Sequence, residues 1–316
     1  MFFLNQRRLF NSRLWFYLTN VSSYVKALCS SIYICRLSFN FQKAIFMPDL
    51  YIKDRCKKFD TVLIYGGSYN LIDHVNQNIS AFSGPTFTLA VNTSVMSGLP
   101  VDLAFWELWN KTSITDWFEK SFVSSGRFSQ YTSNCKCIVL TRILPSLLPT
   151  RLLELGFSNI YLSLDRSLHV SKFFTSSSSV VRQISKYLYS STNSPFWSMF
   201  LPTLRGSLVR AILFSFKLKP KRIIICGMSQ GQKSLHWFDR HDMYPHLKDY
   251  SDVYRFYANP SLQAHRTNDP SLGTWTINSL LQLISSNSRS IELFVATTSG
   301  IVPLNKDFDS SLLDPF

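Results

Sequence analysis

Short apolar segments rich in β-branched residues alternate with segments of helical periodicity along most of this chain. Apolar segments that are short and uninterrupted are typical of the strands of a parallel sheet that helices cover on both faces. The predicted strands are Thr61–Tyr65, Phe87–Val91, Val101–Trp106, Cys137–Thr141, Asn159–Leu164, Arg222–Cys226 and Ile291–Val295. The predicted helices are Ser146–Leu155, Val180–Tyr189, Leu204–Phe216 and Trp275–Ile284. This alternation predicts an α/β fold with a doubly wound, mostly parallel sheet.

The composition excludes several other classes of protein. With 46% hydrophobic and only 16% charged residues, the chain of 316 residues can bury a large core, which excludes a disordered protein. The six cysteines lack the spacing of a zinc site or a disulfide scaffold, so we expect reduced thiols in a cytoplasmic protein. No uncharged apolar stretch reaches the roughly 18 residues of a membrane span, which excludes a multi-pass membrane protein.

The positive charge is concentrated in two stretches without acidic residues. The net charge is +14. Residues 1–48 contain six basic residues, and residues 166–238 contain eleven. Such a field attracts an anion, which leaves nucleic acid, acidic lipid and a charged small substrate as candidate ligands.

Residues 1–48 are predicted to form a basic amphipathic segment, followed by a single α/β domain over 49–316. Within residues 13–32, apolar side chains recur at helical spacing, as in a helix on an anionic membrane surface. A targeting or mis-initiated segment and a helix packed on the domain remain alternatives. Insertions or lids are expected around residues 171–200 and 231–265, the first of which is rich in serine.

Polar and glycine-rich segments follow three of the predicted strands. Gly66, Gly67, Ser68 and Asn70 follow the first strand, and Asn92 follows the second. Gly227 and Ser229 follow the strand that ends at Cys226, while Arg205, Gly206 and Ser207 open the helix before that strand. Because ligands of such sheets bind at the carboxyl ends of the strands, these residues are candidates for binding a phosphate, a ribose or a sugar. Tight turns and helix caps are the alternative roles.

The order of these features resembles the bacterial CMP-sialic-acid-dependent sialyltransferases of glycosyltransferase family 42. The family's G-N-G-P-S turn corresponds to Gly66–Asn70, with Gly67 where the family has Asn. Its strand ending in Asn corresponds to Asn92, its S-G turn to Arg205–Ser207, and its K-x-I strand with a following Gly to Lys221–Gly227. Ser229 stands where the family has Asp. A histidine ahead of an N-T-D type helix start corresponds to His265.

The resemblance implies a Rossmann-like, glycosyltransferase-A-like variant of the fold with a helical or irregular lid. It implies metal-independent inverting transfer from a CMP-activated sugar to a glycan hydroxyl, with no cofactor besides the donor. The ten candidate residues at the strand ends would bind substrate, and His265 would be the general base. We therefore expect a nucleotide-sugar donor and a glycan acceptor as partners, in polysaccharide biosynthesis, and no nucleic acid.

Other interpretations of the chain remain open. His265 is also compatible with a surface loop, and the series His236, Asp239, His241, Asp242 and His246 contains metal-ligating residue types. A Mg²⁺-dependent phosphoryl or pyrophosphoryl transferase of the pterin pyrophosphokinase-like type is one alternative function. A non-enzymatic protein that binds polyanions or membranes is another. The chain is expected in the cytoplasm or peripherally on a membrane, and homo-oligomer formation stays open.

Overall fold

The computed structural model describes a central part of the chain and several shorter segments. The described residues are 44–45, 59–78, 80, 82, 84–106, 138–140, 160–162, 207–228, 236–245, 248, 277–288, 290–305, 308 and 312–314. The predicted helices over 146–155 and 180–189, the lid over 171–200 and the amphipathic segment over 13–32 lie outside these residues. Those four predictions therefore stay predictions.

The described strands form one sheet, and each of the seven predicted strands is present. The strands are β1 (Ala44–Ile45), β2 (Thr61–Tyr65), β3 (Thr86–Val91), β4 (Leu103–Trp106), β5 (Ile138–Leu140), β6 (Ile160–Leu162), β7 (Arg222–Cys226), β8 (Glu292–Thr297) and β9 (Gly300–Pro303). All neighbouring pairs are parallel except β8 and β9, which form an antiparallel hairpin. The prediction of an α/β fold with a mostly parallel sheet is confirmed.

The order of the strands reverses at the centre of the sheet. Across the sheet the order is β1-β6-β5-β4-β3-β2-β7-β8-β9, so the chain adds β3 to β6 on one side of β2 and then returns to β7 on the other. Tyr65 and Cys226, the last residues of β2 and β7, lie side by side in register. The residues that follow these two strands therefore start from the same level of the sheet, where ligands bind in open α/β sheets.

Among the described residues, three α-helices accompany this central part of the sheet. They are α1 (Leu71–Gln77), α2 (Ser207–Lys217) and α3 (Ile277–Asn287). The helices α2 and α3 correspond to the predicted segments Leu204–Phe216 and Trp275–Ile284.

One buried apolar cluster joins α2 and α3 to alternate residues of the strands. Val62 and Ile64 of β2 and Ile223 and Ile225 of β7 belong to it. The buried residues of α1 do not belong to this cluster. Because successive side chains of a strand point to opposite faces of the sheet, this indicates that α1 packs on the face opposite to α2 and α3. In β4, Phe105 packs edge-on against Phe214 of α2 at 5.1 Å. This packing fixes α2 on the sheet and thereby positions Ser207 at its first turn.

No helix among the described residues is both long and apolar enough to cross a membrane. The short strand β1 lies within the segment 1–48 that the sequence analysis separated from the domain. It pairs with β6.

Candidate functional site at the carboxyl ends of β2, β3 and β7

The glycine turns after β2 and β7 cross each other in direct backbone contact. The N–H of Gly66 donates a hydrogen bond of 2.7 Å to the carbonyl oxygen of Cys226, and the N–H of Ser68 donates one of 3.1 Å to that of Gly227. A Cβ atom on Gly66 would lie 2.4 Å from the Gly227 carbonyl oxygen. Only glycine fits at position 66, because any side chain would occupy the space of the neighbouring backbone.

Position 227 also requires glycine. Its φ of +74° lies in the left-handed region, and a Cβ atom there would come within 2.9 Å of Cδ1 of Leu71 in α1. At Gly67, by contrast, a Cβ atom would meet Nδ1 of His236 at 3.4 Å, which is an ordinary contact. The two glycines of the first turn thus have different requirements, which the sequence did not distinguish.

The backbone N–H groups of these turns are mostly bonded to protein atoms. Besides the bonds of Gly66 and Ser68, the N–H of Gly227 donates to Nδ1 of His74 at 3.1 Å. The sequence analysis named these glycine turns as candidates for binding a phosphate, which would need free backbone N–H groups. The structure differs because the two turns bond to each other. Any anion at this edge would therefore depend more on side chains than the glycine pattern indicated.

Ser68 provides such a side chain. The residue is only 9% exposed, and its hydroxyl oxygen is buried with no hydrogen-bond partner among the described residues. Buried hydroxyl groups nearly always have a partner, because an unsatisfied one costs about 1–3 kcal/mol. The hydroxyl lies at the crossing of the two turns and can donate to an oxygen atom of a ligand.

Asn92 and Ser207 meet at the next strand. The side-chain amide of Asn92, directly after β3, donates a hydrogen bond of 3.0 Å to the hydroxyl oxygen of Ser207 at the first residue of α2. Asn92 has a φ of +53°, a left-handed conformation that asparagine tolerates better than most residues. Two residues that the sequence analysis assigned to substrate binding, 115 positions apart, are thus in direct contact.

Ser94 joins the ends of β2 and β3. Its buried hydroxyl donates to the carbonyl oxygen of Tyr65 at 2.7 Å and accepts the N–H of Val91 at 2.8 Å. The glycine turn and the Asn92–Ser207 pair are therefore held in one arrangement.

Asn70 occupies the position before α1. It is the N-cap residue, but its side chain makes no capping hydrogen bond. The sequence left open that Asn70 caps the helix. In the structure it has the backbone position of a cap, but its side chain does not bond the backbone of α1.

Residues His236–Tyr244, here called the strap, lie across the first glycine turn. His236 forms an isolated antiparallel bridge with Ser68, and its Nδ1 lies 3.2 Å from the carbonyl oxygen of Gly67. At the other end of the strap, the hydroxyl of Tyr244 donates to the carbonyl oxygen of Ser97 at 2.9 Å. The strap falls within the predicted insertion over 231–265 and limits access to Ser68 from that side.

Arg240 fastens the middle of the strap. Its guanidinium donates to Asp73 of α1 at 2.7 Å and to Asp242 at 3.0 Å, and it lies over the ring of Tyr69 at 5.1 Å. The hydrogen bond to Arg240 lowers the pKa of the exposed Asp242 carboxyl. Sequence reasoning missed this contact, because Arg240 and Asp73 are 167 positions apart and no local pattern relates them.

The histidine and aspartate series in the strap has other partners in the structure. Asp239 accepts the backbone N–H of His236 at 2.7 Å, and Asp242 binds Arg240. Within the part of the chain that is described, no group of three or more His, Cys, Asp or Glu residues could hold a metal ion. His246 lies outside the described residues.

His74 is a buried titratable residue that the sequence analysis did not single out. Its side chain is fully buried in α1, its Nε2 lies 2.6 Å from a carboxylate oxygen of Asp314, and its Nδ1 accepts the N–H of Gly227. Burial lowers the pKa of His74, and the Asp314 carboxylate opposes part of that effect. The imidazole is therefore neutral near pH 7 and connects residue 314 with the second glycine turn.

Four of the predicted site residues, His265, Arg205, Gly206 and Ser229, lie outside the described residues. Of the other seven, the structure brings four together in two contacts, Gly66 with Gly227 and Asn92 with Ser207. Ser68 lies at the first contact, and Gly67 and Asn70 flank it in the same turn.

Comparison of the chain with models of protein families, with curated proteins and with solved structures found no match. The function is therefore argued from the arrangement at the carboxyl ends of β2, β3 and β7. Its distinguishing elements are the buried Ser68 hydroxyl, the Asn92–Ser207 pair and the strap.

Proposed function

We propose that this protein is a glycosyltransferase that moves a sugar from a CMP-activated donor to a glycan hydroxyl without a metal. The fold proposed for it is a doubly wound, Rossmann-like sheet of the glycosyltransferase-A-like variety, with residues 231–265 as part of its lid. The donor would lie at the reversal of strand order, between the ends of β2 and β7. Cytoplasmic location, with residues 13–32 on an anionic membrane surface, belongs to the same proposal.

The observation that carries the proposal is the buried hydroxyl of Ser68. It lies between two glycine turns at the edge where ligands of open α/β sheets bind, and it has no hydrogen-bond partner among the residues that the structure describes. A single donor of this kind suits one oxygen atom of a nucleotide or a sugar, both of which present several acceptors.

The Asn92–Ser207 pair supports the same assignment. The amide of Asn92 donates one N–H to the hydroxyl oxygen of Ser207, which fixes the orientation of the amide plane. Such an amide, held in a fixed orientation by a neighbouring hydroxyl, is suited to distinguish the donor and acceptor atoms of a base or a sugar. The resemblance to the sialyltransferases assigns substrate binding to the same two positions.

Charge also favours an anionic donor. The stretch from Arg166 to Phe238 contains no acidic residue and includes α2 and β7. A basic environment attracts the donor phosphate and stabilises the charge that develops on it as it leaves.

The proposed reaction has a single displacement at the anomeric carbon of the sugar. The acceptor hydroxyl oxygen forms the new bond to that carbon, and the bond from the carbon to the phosphate oxygen breaks with its electron pair leaving on CMP. His265 accepts the hydroxyl proton, since imidazole titrates near neutral pH. Hydrogen-bond donors and arginine side chains replace the metal ion that other transferases use at the leaving phosphate.

A thermal-shift panel with CMP, CDP, UDP, GDP and ATP, each with and without Mg²⁺, tests the function. We expect cytidine nucleotides to raise the melting temperature without Mg²⁺, because ligand binding to the folded state stabilises it. A rise in melting temperature only with ATP in the presence of Mg²⁺ would instead identify the phosphoryl-transferase alternative. No nucleotide shift, together with salt-sensitive binding of heparin, would identify a polyanion-binding protein.

The substitution His265→Ala tests the proposed general base. We expect it to abolish transfer of the sugar from the CMP-activated donor, while CMP still raises the melting temperature.

A further inference from the structure

His74 connects two parts of the molecule that are far apart in sequence. Asp314 is 240 positions from His74 and Gly227 is 153, yet both bond to the same imidazole ring. Asp314 is itself held by the N–H and the hydroxyl of Thr298, at 2.7 Å each, in the turn between β8 and β9. The ring therefore lies between a fixed carboxylate and the backbone of the second glycine turn.

The two contacts determine which ring nitrogen carries the proton. A backbone N–H can only donate, so Nδ1 of His74 must be the unprotonated nitrogen that accepts the Gly227 bond. The proton of the neutral ring is then on Nε2, from which it is donated to Asp314. A second proton would have to occupy Nδ1, where it would face the N–H of Gly227 and break that bond.

Burial of the ring favours the neutral form, and the two carboxylates near it oppose part of that effect. Asp314 faces the ring from the segment after β9, and Asp73, which is paired with Arg240, lies beside it on α1. From β7 the neighbouring titratable side chain is Cys226, whose thiol is fully buried with a pKa raised to about 12 and is therefore neutral. From β8, packed against α1, the nearby polar residue is the uncharged Thr297, whose carbonyl oxygen accepts a hydrogen bond from Asn78 at 2.9 Å.

We propose that His74 and Asp314 form an acid-sensitive catch on the second glycine turn. While the imidazole is neutral, it holds the N–H of Gly227 and so keeps that turn against the first one. Protonation of the ring releases the N–H and loosens the crossing of the two turns, at the edge where Ser68 and Asn92 lie. The catch follows from the geometry of three residues and does not depend on the proposed glycosyltransferase activity.

The direction of the pH effect follows from the lowered pKa of His74. In the unfolded chain the group titrates near its ordinary value of about 6.5, so below that pH the unfolded state binds the proton more readily than the folded state does. The stabilising contribution of the catch is therefore fully present above about pH 6.5 and is lost as the pH falls from there through the pKa of the folded state.

Two substitutions at position 74 separate the two contacts. In His74→Asn, the side-chain oxygen occupies roughly the position of Nδ1 and can accept the Gly227 N–H, but no group reaches Asp314. In His74→Gln, the side-chain NH₂ occupies roughly the position of Nε2 and can donate to Asp314, but the acceptor for Gly227 is absent. Both variants lack a group that titrates near neutral pH.

The test is hydrogen exchange of the Gly227 amide by NMR in the full chain, with the Ile224 amide of β7 as internal reference. In the wild type we expect Gly227 protection to fall about tenfold relative to Ile224 as the pH is lowered from about 7.5 through the pKa of the His74 ring, which the resonances of the ring locate in the same samples. His74→Asn should keep its protection over the same pH range, and His74→Gln should lack it throughout.

Three outcomes would overturn the catch. They are a parallel loss of protection at Gly227 and Ile224 in the wild type, a pH-dependent Gly227 in His74→Asn, and equal Gly227 protection in the two variants. If His74→Gln does not fold, the comparison of the wild type with His74→Asn decides the question.

Discussion

We expect Gly66→Ala to lower the free energy of unfolding by roughly 3 kcal/mol, because the added methyl group has no space. Its Cβ would lie 2.4 Å from the carbonyl oxygen of Gly227 and 3.3 Å from that of Cys226. Both are backbone atoms at the end of a central strand, so neither can turn aside as a flexible side chain would. The turns would have to separate, with loss of the hydrogen bond from Gly66 to Cys226. Urea denaturation followed by circular dichroism measures the change.

Gly67→Ala and Gly98→Ala are the matched controls for this prediction. A methyl group on Gly67 makes an ordinary contact with His236, so the cost should be below about 1 kcal/mol. Gly98 has a φ of +81° with nothing within 4 Å of its Cβ position, so its cost is the left-handed backbone alone, about 1 kcal/mol. Equal destabilisation by the three substitutions would show that the two glycine turns do not cross as described.

The second large effect is expected from Ser94→Ala, at about 2–3 kcal/mol. The substitution removes the acceptor of the Val91 N–H and the donor to the Tyr65 carbonyl oxygen in a fully buried place that water does not reach. It would also release the end of β3 from the end of β2, and therefore weaken ligand binding beyond its effect on stability. The same denaturation experiment gives the change in stability, and a CMP titration gives the change in affinity.

Ser97→Ala provides the control for Ser94. The Ser97 hydroxyl donates to the carbonyl oxygen of Ser94, which also accepts the backbone N–H of Ser97, so that oxygen keeps a partner when the hydroxyl is removed. The expected cost is about 1 kcal/mol, with CMP affinity unchanged. A Ser94→Ala protein as stable as Ser97→Ala would contradict the role of Ser94 as the link between the two strand ends.

The central strands could be predicted from the sequence because their signal is local. Thr61–Tyr65 and Arg222–Cys226 are continuous apolar segments, and the structure has them with the predicted bounds. The strand β9 was missed because Gly300 and Pro303 are both unfavourable in strands, and an antiparallel edge position tolerates them. The two-residue strand β1 is too short to carry any periodicity.

The parts of the candidate site that depend on strand ends could also be predicted. Since parallel strands end at one edge, the residues after them converge, and the contacts of Gly66 with Gly227 and of Asn92 with Ser207 follow that rule. The glycine pattern did not reveal that the turns would use their N–H groups on each other, because the pattern does not specify how close the two strands lie.

The catch and the strap could not be predicted from the sequence. His74 lies in an ordinary amphipathic helix, and its partners are Gly227 and Asp314. Arg240 likewise finds Asp73 only after the sheet has brought the strap over α1. Such contacts depend on the order of strands in the sheet, which a single sequence does not encode locally.

The most direct test of a ligand site at Ser68 is a calorimetric titration of CMP, without Mg²⁺, into the wild type and Ser68→Ala. Since the Ser68 hydroxyl has no hydrogen-bond partner in the described part of the chain, its removal should leave the free energy of unfolding unchanged or slightly raised. If the hydroxyl binds the ligand, the affinity for CMP should fall about tenfold in the variant. Equal CMP affinity in the two proteins, or no binding to the wild type, would contradict the account.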